Sequence, residues 1–219
     1  MMLENKYEDK AIDYYDNYRS DIIPLLPKHS ARALEIGCGT GNTLAYLKAN
    51  GYCDWTYGVE MFPEALDRAA SNVDILYSCN IEGAVLPIEP HSINLILCLD
   101  VLEHLVNPEK VISYLHTLLA PGGIIIASIP NVRHYSVVFP LVFKNEWEYK
   151  NAGVLDSTHL RFFVKKTAID LMESSGLKLE DLVHSGLFTK KQKILSAITF
   201  GAIRSFCTLQ YLIKVSNNP

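Results

Sequence analysis

The 219-residue chain has no apolar run long enough to cross a bilayer. Its longest, such as Ile93 to Leu99 and Ile124 to Ile129, fall far short of the roughly 20 residues a spanning helix needs. No charged-then-apolar leader opens it: Met1 to Asp21 is polar and acidic, so no secretory signal is expected. The five cysteines (38, 53, 79, 98 and 207) form no C-x-x-C pair and no metal-ligand spacing. That argues against a disulfide scaffold, no metal site is expected, and a reducing cytoplasm with thiols as small core residues is the expected setting. Positive charge is not in excess, with 20 Lys and Arg against 24 Asp and Glu, so no nucleic-acid partner is expected. Repeats and low-complexity linkers are also missing. One absence is local. From Leu182 to the end there is no acid but five basic residues (Lys190, Lys191, Lys193, Arg204 and Lys214), leaving residues 1 to 181 with 15 basic against 24 acidic. These bases sit among Ile194, Leu195, Ile198, Phe200, Ile203, Phe206, Leu209, Tyr211, Leu212 and Ile213. An apolar face flanked by Lys and Arg suits an interfacial helix, so this tail is a candidate for peripheral membrane contact. The plainer alternative is a helix packed on its own domain or on a dimer mate.

What the chain does have is Leu34-Glu35-Ile36-Gly37-Cys38-Gly39-Thr40-Gly41-Asn42, an apolar strand running into a glycine-rich turn and a helix. Glycines at alternate positions let the backbone turn sharply and leave no Cβ between it and a ligand. Amides near a helix N-terminus can then meet a ligand's polar groups. Glu60 follows 19 positions after Gly41, at the end of the next apolar run. A carboxylate there can accept hydrogen bonds from both hydroxyls of a ribose. The pattern points to an adenosine-containing ligand. The dinucleotide fingerprint G-x-G-x-x-G wants its third glycine where Asn42 stands. A Walker loop wants a lysine, and Asn42-Thr43 offers none. Both NAD and ATP are disfavoured.

Apolar runs alternate with helical segments along the chain. Strands are expected at 32–36, 55–59, 74–77, 93–98, 123–129 and 178–184, with a seventh between 187 and the tail. Helices are expected at 4–23, 41–50, 63–70, 108–119 and 166–175. Such alternation indicates βαβ units with a parallel sheet, whose ligands sit at the carboxyl ends of the strands. Gly37, Glu60, Asn80, Leu99, Asp100 and Pro130 all follow strand ends and are expected to gather on one edge.

The glycine loop resembles the first motif of class I S-adenosylmethionine-dependent methyltransferases, and the resemblance continues in order over roughly residues 30 to 185. Glu60-Met61-Phe62 resembles the ribose site and its adenine-side neighbour. Cys79-Asn80-Ile81-Glu82 falls where the family usually places an acid toward the adenine amine; here Asn80 stands in for it. Ile93 to His104 and Pro121-Gly122-Gly123 with Ile124 to Ile129 resemble the fourth and fifth strands with their turns. The implied fold is α/β: a doubly wound, mostly parallel seven-stranded Rossmann-like sheet in a single domain. It carries an N-terminal helical cap (1–29), a lid or acceptor region (131–163) and the apolar-basic tail (189–219). The implied donor is S-adenosyl-L-methionine, leaving S-adenosyl-L-homocysteine, held by Glu35, Gly37, Gly39, Gly41, Asn42, Glu60, Met61, Asn80, Ile81, Leu99 and Asp100. Pro130-Asn131-Val132-Arg133-His134-Tyr135 and Leu155-Asp156-Ser157-Thr158-His159-Leu160-Arg161-Phe162-Phe163 are similar to small-molecule methyltransferases of cell-surface polysaccharide loci and quinone biosynthesis.

Methyl transfer from a sulfonium is an in-line displacement that needs positioning and exclusion of water. A hydroxyl acceptor must also lose its proton, and histidine is the natural base near neutral pH. His159 and His134 are the catalytic candidates, with Asp156 as the carboxylate to orient the His159 ring. Arg133 and Arg161 can hold an anionic group by paired hydrogen bonds. Tyr135 and Trp147 belong to an insertion whose aromatics are too many for a solvated loop, and they are expected to line an acceptor pocket. Glu103-His104 is read as fixing its loop, and Tyr14, Tyr18 and Arg19 as closing the far side. The expected function is O-methylation of a small or carrier-linked molecule such as a sugar or quinone precursor. The alternative is a donor-binding module without catalysis that acts through a protein partner. Monomer and homodimer both stay open.

Overall fold

The computed structural model describes residues 18–186 and 203–217. Seven strands form one sheet in the order β3-β2-β1-β4-β5-β7-β6. They are β1 (Ser30–Ile36), β2 (Cys53–Glu60), β3 (Ile75–Ser78), β4 (Ile93–Leu99), β5 (Leu119–Pro130), β6 (Lys178–Ser185) and β7 (Gln210–Ser216). All neighbouring pairs are parallel except those of β7, which runs antiparallel to both β5 and β6. The α/β, mostly parallel architecture is the one the strand pattern implies.

The side-chain period of two sorts each central strand into two cores. Leu95, Leu97 and Leu99 of β4 face one side with α1 (Asn42–Ala49) and α2 (Pro63–Asn72), through Leu44, Leu47 and Ala69. Ile96 and Cys98 face the other with α3 (Pro108–Leu118) and α5 (Lys165–Glu173), through Val111, Ile112, Leu115, Ala168 and Leu171. Two short helices, α4 (Tyr135–Phe139) and α6 (Arg204–Cys207), lie in the connections. The order reverses between β1 and β4, so the turns after those strands open a crevice at their carboxyl ends.

Two expectations change. The N-terminal helix was placed over 4–23; residues 4–17 lie outside the described residues, and Ser20–Leu25 form a 3-10 helix that runs through Pro24 rather than stopping before it. Ile22 and Leu25 of that turn are buried in the α1/α2 core. The apolar-basic tail is also not one unit. Its part from 210 is a sheet strand with Tyr211, Leu212, Ile213 and Val215 buried, and Lys214 pairs with Glu180 at 3.0 Å. Those apolar residues are therefore spent on the core and cannot also face a lipid surface. Lys190, Lys191 and Lys193 lie outside the described residues. Among the described residues no helix is long and apolar enough to cross a membrane.

Candidate functional site

The loop after β1 takes the shape its glycines allow. Gly37, Gly39 and Gly41 all have positive φ, at 66°, 53° and 76°. At Gly37 a Cβ would stand 2.4 Å from Val101 Cγ2, so only glycine lets this loop close on the turn after β4. Gly41 caps α1 in the left-handed region, and Asn42 is tied to Asn72, whose amide donates to its Oδ1 at 3.0 Å.

Glu60, at the end of β2, holds that loop from the side. Its Oε2 accepts from the Gly39 amide at 2.8 Å, and its Oε1 accepts from the amides of Met61 and Phe62 at 2.7 and 2.9 Å. Burial raises the carboxyl's pKa and the three amides oppose that rise. A carboxylate has about four acceptor sites. Three are taken by backbone, so one hydroxyl can be added without displacing an amide.

Glu35, on β1, is fully enclosed, and its Oε2 has no hydrogen-bond partner. Burial pushes this carboxyl up to about 8, against the pull of the Arg19 guanidinium. Arg19 comes from the segment ahead of the first 3-10 turn, where Tyr18 stacks on Tyr46 at 4.5 Å between ring centres. Its guanidinium grips both oxygens of Asp21 at 2.9 Å, pairs with Asp100, and donates to Ser128 Oγ at 3.2 Å. Burial works against the charge of Arg19, but these acids raise its pKa further. Asp100 is a non-glycine residue at φ 55°, held there because its amide donates to Ser128 Oγ while its Oδ1 accepts from the same hydroxyl. The Gln210 amide of β7 lies among Asp21, Asp100 and Arg19, a contribution from the tail that no pattern in the sequence announced.

The other predicted donor residues fall on the same edge with unequal roles. Ile81 and Leu99 are buried and Met61 is 42% exposed beside the loop. Asn80 is exposed, and its Oδ1 accepts from the Glu82 amide at 2.9 Å.

Residues 131–163, the expected acceptor region, carry both candidate histidines. His134 caps α4, with Nδ1 2.8 Å from Ser136 Oγ, its ring on Tyr135, and a pKa lowered by burial. His159 points Nδ1 at the Val154 carbonyl at 3.0 Å. Asp156, predicted to orient that ring, is buried, and its Oδ1 accepts from the amide and hydroxyl of Thr158 at 2.9 and 2.6 Å. The carboxyl that the His159 Nε2 faces is Glu103, 3.9 Å away and only 1% exposed. Glu103 and His104 sit in a 3-10 turn (Leu102–His104) directly after Asp100 and Val101. The Glu103 carbonyl accepts the amides of Leu160 and Arg161, and this stitches the lid to the end of β4. Trp147, Tyr149 and Phe162 form an aromatic group with centroids 5.5 to 6.5 Å apart, and Phe162 lies 6.4 Å from the His159 ring. Arg161 reaches the Val106 carbonyl, and Arg133 covers the Phe206 ring at 4.4 Å. Both arginines are exposed at their predicted places but bonded to the protein itself. No metal ligand was expected from the sequence, yet Glu103, His104 and His159 bring three ligand atoms within 4.8 Å of one another. Spacings of 1 and 55 residues gave no local signal for it.

A family model described as a methyltransferase domain matches residues 10–182. The chain belongs to this methyltransferase family. S-adenosylmethionine is the methyl donor that the resemblance of the glycine loop implies. The chain is 28% identical over 158 residues to a ubiquinone biosynthesis O-methyltransferase of Neisseria meningitidis, covering 68% of this methyltransferase and 65% of that protein. It is 31% identical over 182 residues to a tRNA N(3)-cytidine methyltransferase of Danio rerio, covering 76% and 51% respectively. The methyltransferase thus spans less than two thirds of either relative's length. In fold it matches the N-methyltransferase NodS of Bradyrhizobium japonicum, solved with S-adenosyl-L-homocysteine, at a TM-score of 0.64 and 16% identity over 99% of this chain and 96% of that one.

The residues present fit the donor. Its ammonium matches the buried, unpartnered oxygen of Glu35 together with Asp100, and its carboxylate matches Arg19. One ribose hydroxyl matches the remaining acceptor site of Glu60.

Proposed function

We propose that this enzyme methylates an oxygen of a small or carrier-linked molecule, with a sugar or a quinone precursor as the substrate class. One observation carries the reading: His159, buried beside Glu103, stands next to the Trp147, Tyr149 and Phe162 rings, one turn from the donor loop. Flat aromatic faces receive a ring or the apolar face of a sugar. The ubiquinone-pathway relative is named for O-methylation, which agrees with an oxygen acceptor.

When bound, S-adenosylmethionine supplies an electrophilic methyl group on a sulfonium. The chain's own task is to aim the acceptor and to manage its proton. The Nδ1 of His159 faces a carbonyl, which only accepts, so Nδ1 carries the hydrogen and Nε2 carries the lone pair that can take a proton. The Nδ1 lone pair of His134 is taken by the Ser136 amide, so in the neutral ring Nε2 carries the hydrogen and can donate to an acceptor oxygen. An acceptor stacked on the lid rings would displace water from their exposed faces. The cytoplasm is the compartment proposed for this chemistry.

The test is direct. The protein is incubated with methyl-labelled donor and three acceptor pools: catechols, nucleotide sugars and fractionated cell extract. Labelled product carrying an O-methyl group by mass spectrometry supports the reading. Label found only on nitrogen or carbon, or none in any pool, overturns it.

A further inference from the structure

We propose that Glu103, His104 and His159 form a divalent-cation site on the acceptor side of the cleft, for an ion of the Mn2+, Co2+ or Zn2+ class. Both imidazoles are oriented for ligation. His104 Nδ1 lies 3.2 Å from the Thr158 carbonyl and His159 Nδ1 lies 3.0 Å from the Val154 carbonyl. A carbonyl can only accept, so each Nδ1 carries its hydrogen and each Nε2 keeps its lone pair. Such an outer hydrogen bond fixes the tautomer of metal-binding histidines in general. The rings lie edge to face with centroids 4.7 Å apart, set by separate stretches of backbone.

The independent observation is Glu103. Both of its carboxylate oxygens are buried without a hydrogen-bond partner, and the side chain is 1% exposed. A buried carboxylate left without hydrogen bonds is costly, and it is relieved by a proton, which burial favours here, by a partner charge or by a metal. Its Oε1 stands 3.9 Å from His159 Nε2, and one ligand atom from each of the three residues lies within 4.8 Å of the others. Ligands about 2.0–2.2 Å from a tetrahedral ion are roughly 3.3 Å apart. The three groups therefore need to close by about 0.5 to 1.5 Å, which side-chain torsions supply. Two imidazoles and one carboxylate suit first-row transition cations better than Mg2+ or Ca2+.

Placement gives the site its use. The Val101 side chain packs against Gly37, and its carbonyl accepts the His104 amide at 3.0 Å. The donor loop and the cluster are thus one residue apart. Three protein ligands leave positions open on the ion. With the ion bound, the His159 Nε2 lone pair is used as a ligand, so His159 acts as a base only in the ion-free protein. The open positions would suit an acceptor with adjacent oxygens. This last step rests on the O-methylation reading above; the binding of the ion does not.

The full-length protein, stripped with EDTA, is titrated separately with Mn2+, Co2+ and Zn2+ by calorimetry, and the Co2+ form is examined for ligand-field absorption bands. One ion per chain is expected, with nitrogen-ligated Co2+ bands. Glu103→Gln and His159→Ala are each expected to weaken binding by more than about tenfold, while donor titration of the same variants shows them folded. No one-to-one binding of any of the three ions overturns the site, as does unchanged affinity in both variants. Stoichiometric binding without transfer to any oxygen acceptor leaves the site standing and removes the O-methylation reading alone.

Discussion

On the donor side, the groups available to a ligand are the backbone of residues 37–41 and two buried carboxyls, Glu35 and Glu60. On the acceptor side they are rings: His134, His159, Trp147, Tyr149 and Phe162, carried by an insertion of short helices and turns. The donor side is buried and bonded largely to backbone, as suits a ligand that never changes. The acceptor side exposes Phe139, Val142 and Phe143, with relative exposures of 56%, 64% and 74%. Its fixed points are few: the Glu103 carbonyl, the bridge from Asn131 to Phe163 and the Asp156 turn. Side chains on turns can be exchanged without disturbing the sheet, so this half is where relatives with different acceptors are free to differ.

The sharpest way to break this contrast is Gly37→Ala. A Cβ 2.4 Å from Val101 on a residue at φ 66° forces the loop open. Donor affinity is expected to fall more than about a hundredfold, with a stability loss of about 2 kcal/mol. Calorimetric donor titration that matches the parent would show that the backbone does not shape this side. Glu60→Ala comes next, because it strands the amides of Gly39, Met61 and Phe62. A weakening of about ten- to a hundredfold in donor affinity is expected, and a melting curve should show about 1–3 kcal/mol of lost stability.

The third prediction concerns pH. Glu35 holds its proton up to about 8, whereas an unfolded glutamate releases it near 4.5. The folded state therefore binds more protons between those values, and the stability of the donor-free protein falls as pH rises through that window. The donor's ammonium prefers the charged carboxylate, so binding must expel that proton below about 8. Donor affinity should rise by as much as about tenfold per unit between pH 6 and 8 and level off above. Glu35→Gln should flatten the curve; a parent that is already flat would remove Glu35 from the ammonium site.

Smaller effects are expected across the cleft. Trp147→Ala should raise the acceptor KM by about tenfold through the lost ring contacts, and leave the donor Kd within about twofold. Equal losses in both would mean the lid rings are a satellite core and not an acceptor wall. Arg161→Ala should change turnover by less than about threefold, because that exposed guanidinium already bonds to the Val106 carbonyl. A loss beyond tenfold in acceptor KM would restore it as a substrate clamp.

The strands and most helices were legible because alternating Leu and Ile runs in β4 and β5 must bury both faces of a parallel sheet. Gly37, Gly39, Gly41 and Glu60 were legible because a bound nucleoside demands a bare backbone and an acid within one βαβ unit. The tail was misread in part, since the Tyr211 to Val215 run is as apolar as a lipid-facing helix and its burial depends on β5 and β6 standing on either side. Glu103 was read as fixing a loop. Its carbonyl does so, while its carboxyl faces His159, which lies 56 residues further along the chain.

Local constraints reach no further than neighbouring residues, and they suffice for a glycine turn, a strand period and the donor those imply. Arg19 meeting Asp100, Gln210 reaching both, and the Glu103-His104 pair meeting His159 are long-range events. They arise because a doubly wound sheet brings the ends of β1, β4, β5 and β7 to one edge, where side chains far apart in sequence share the same buried space and must answer one another's charge.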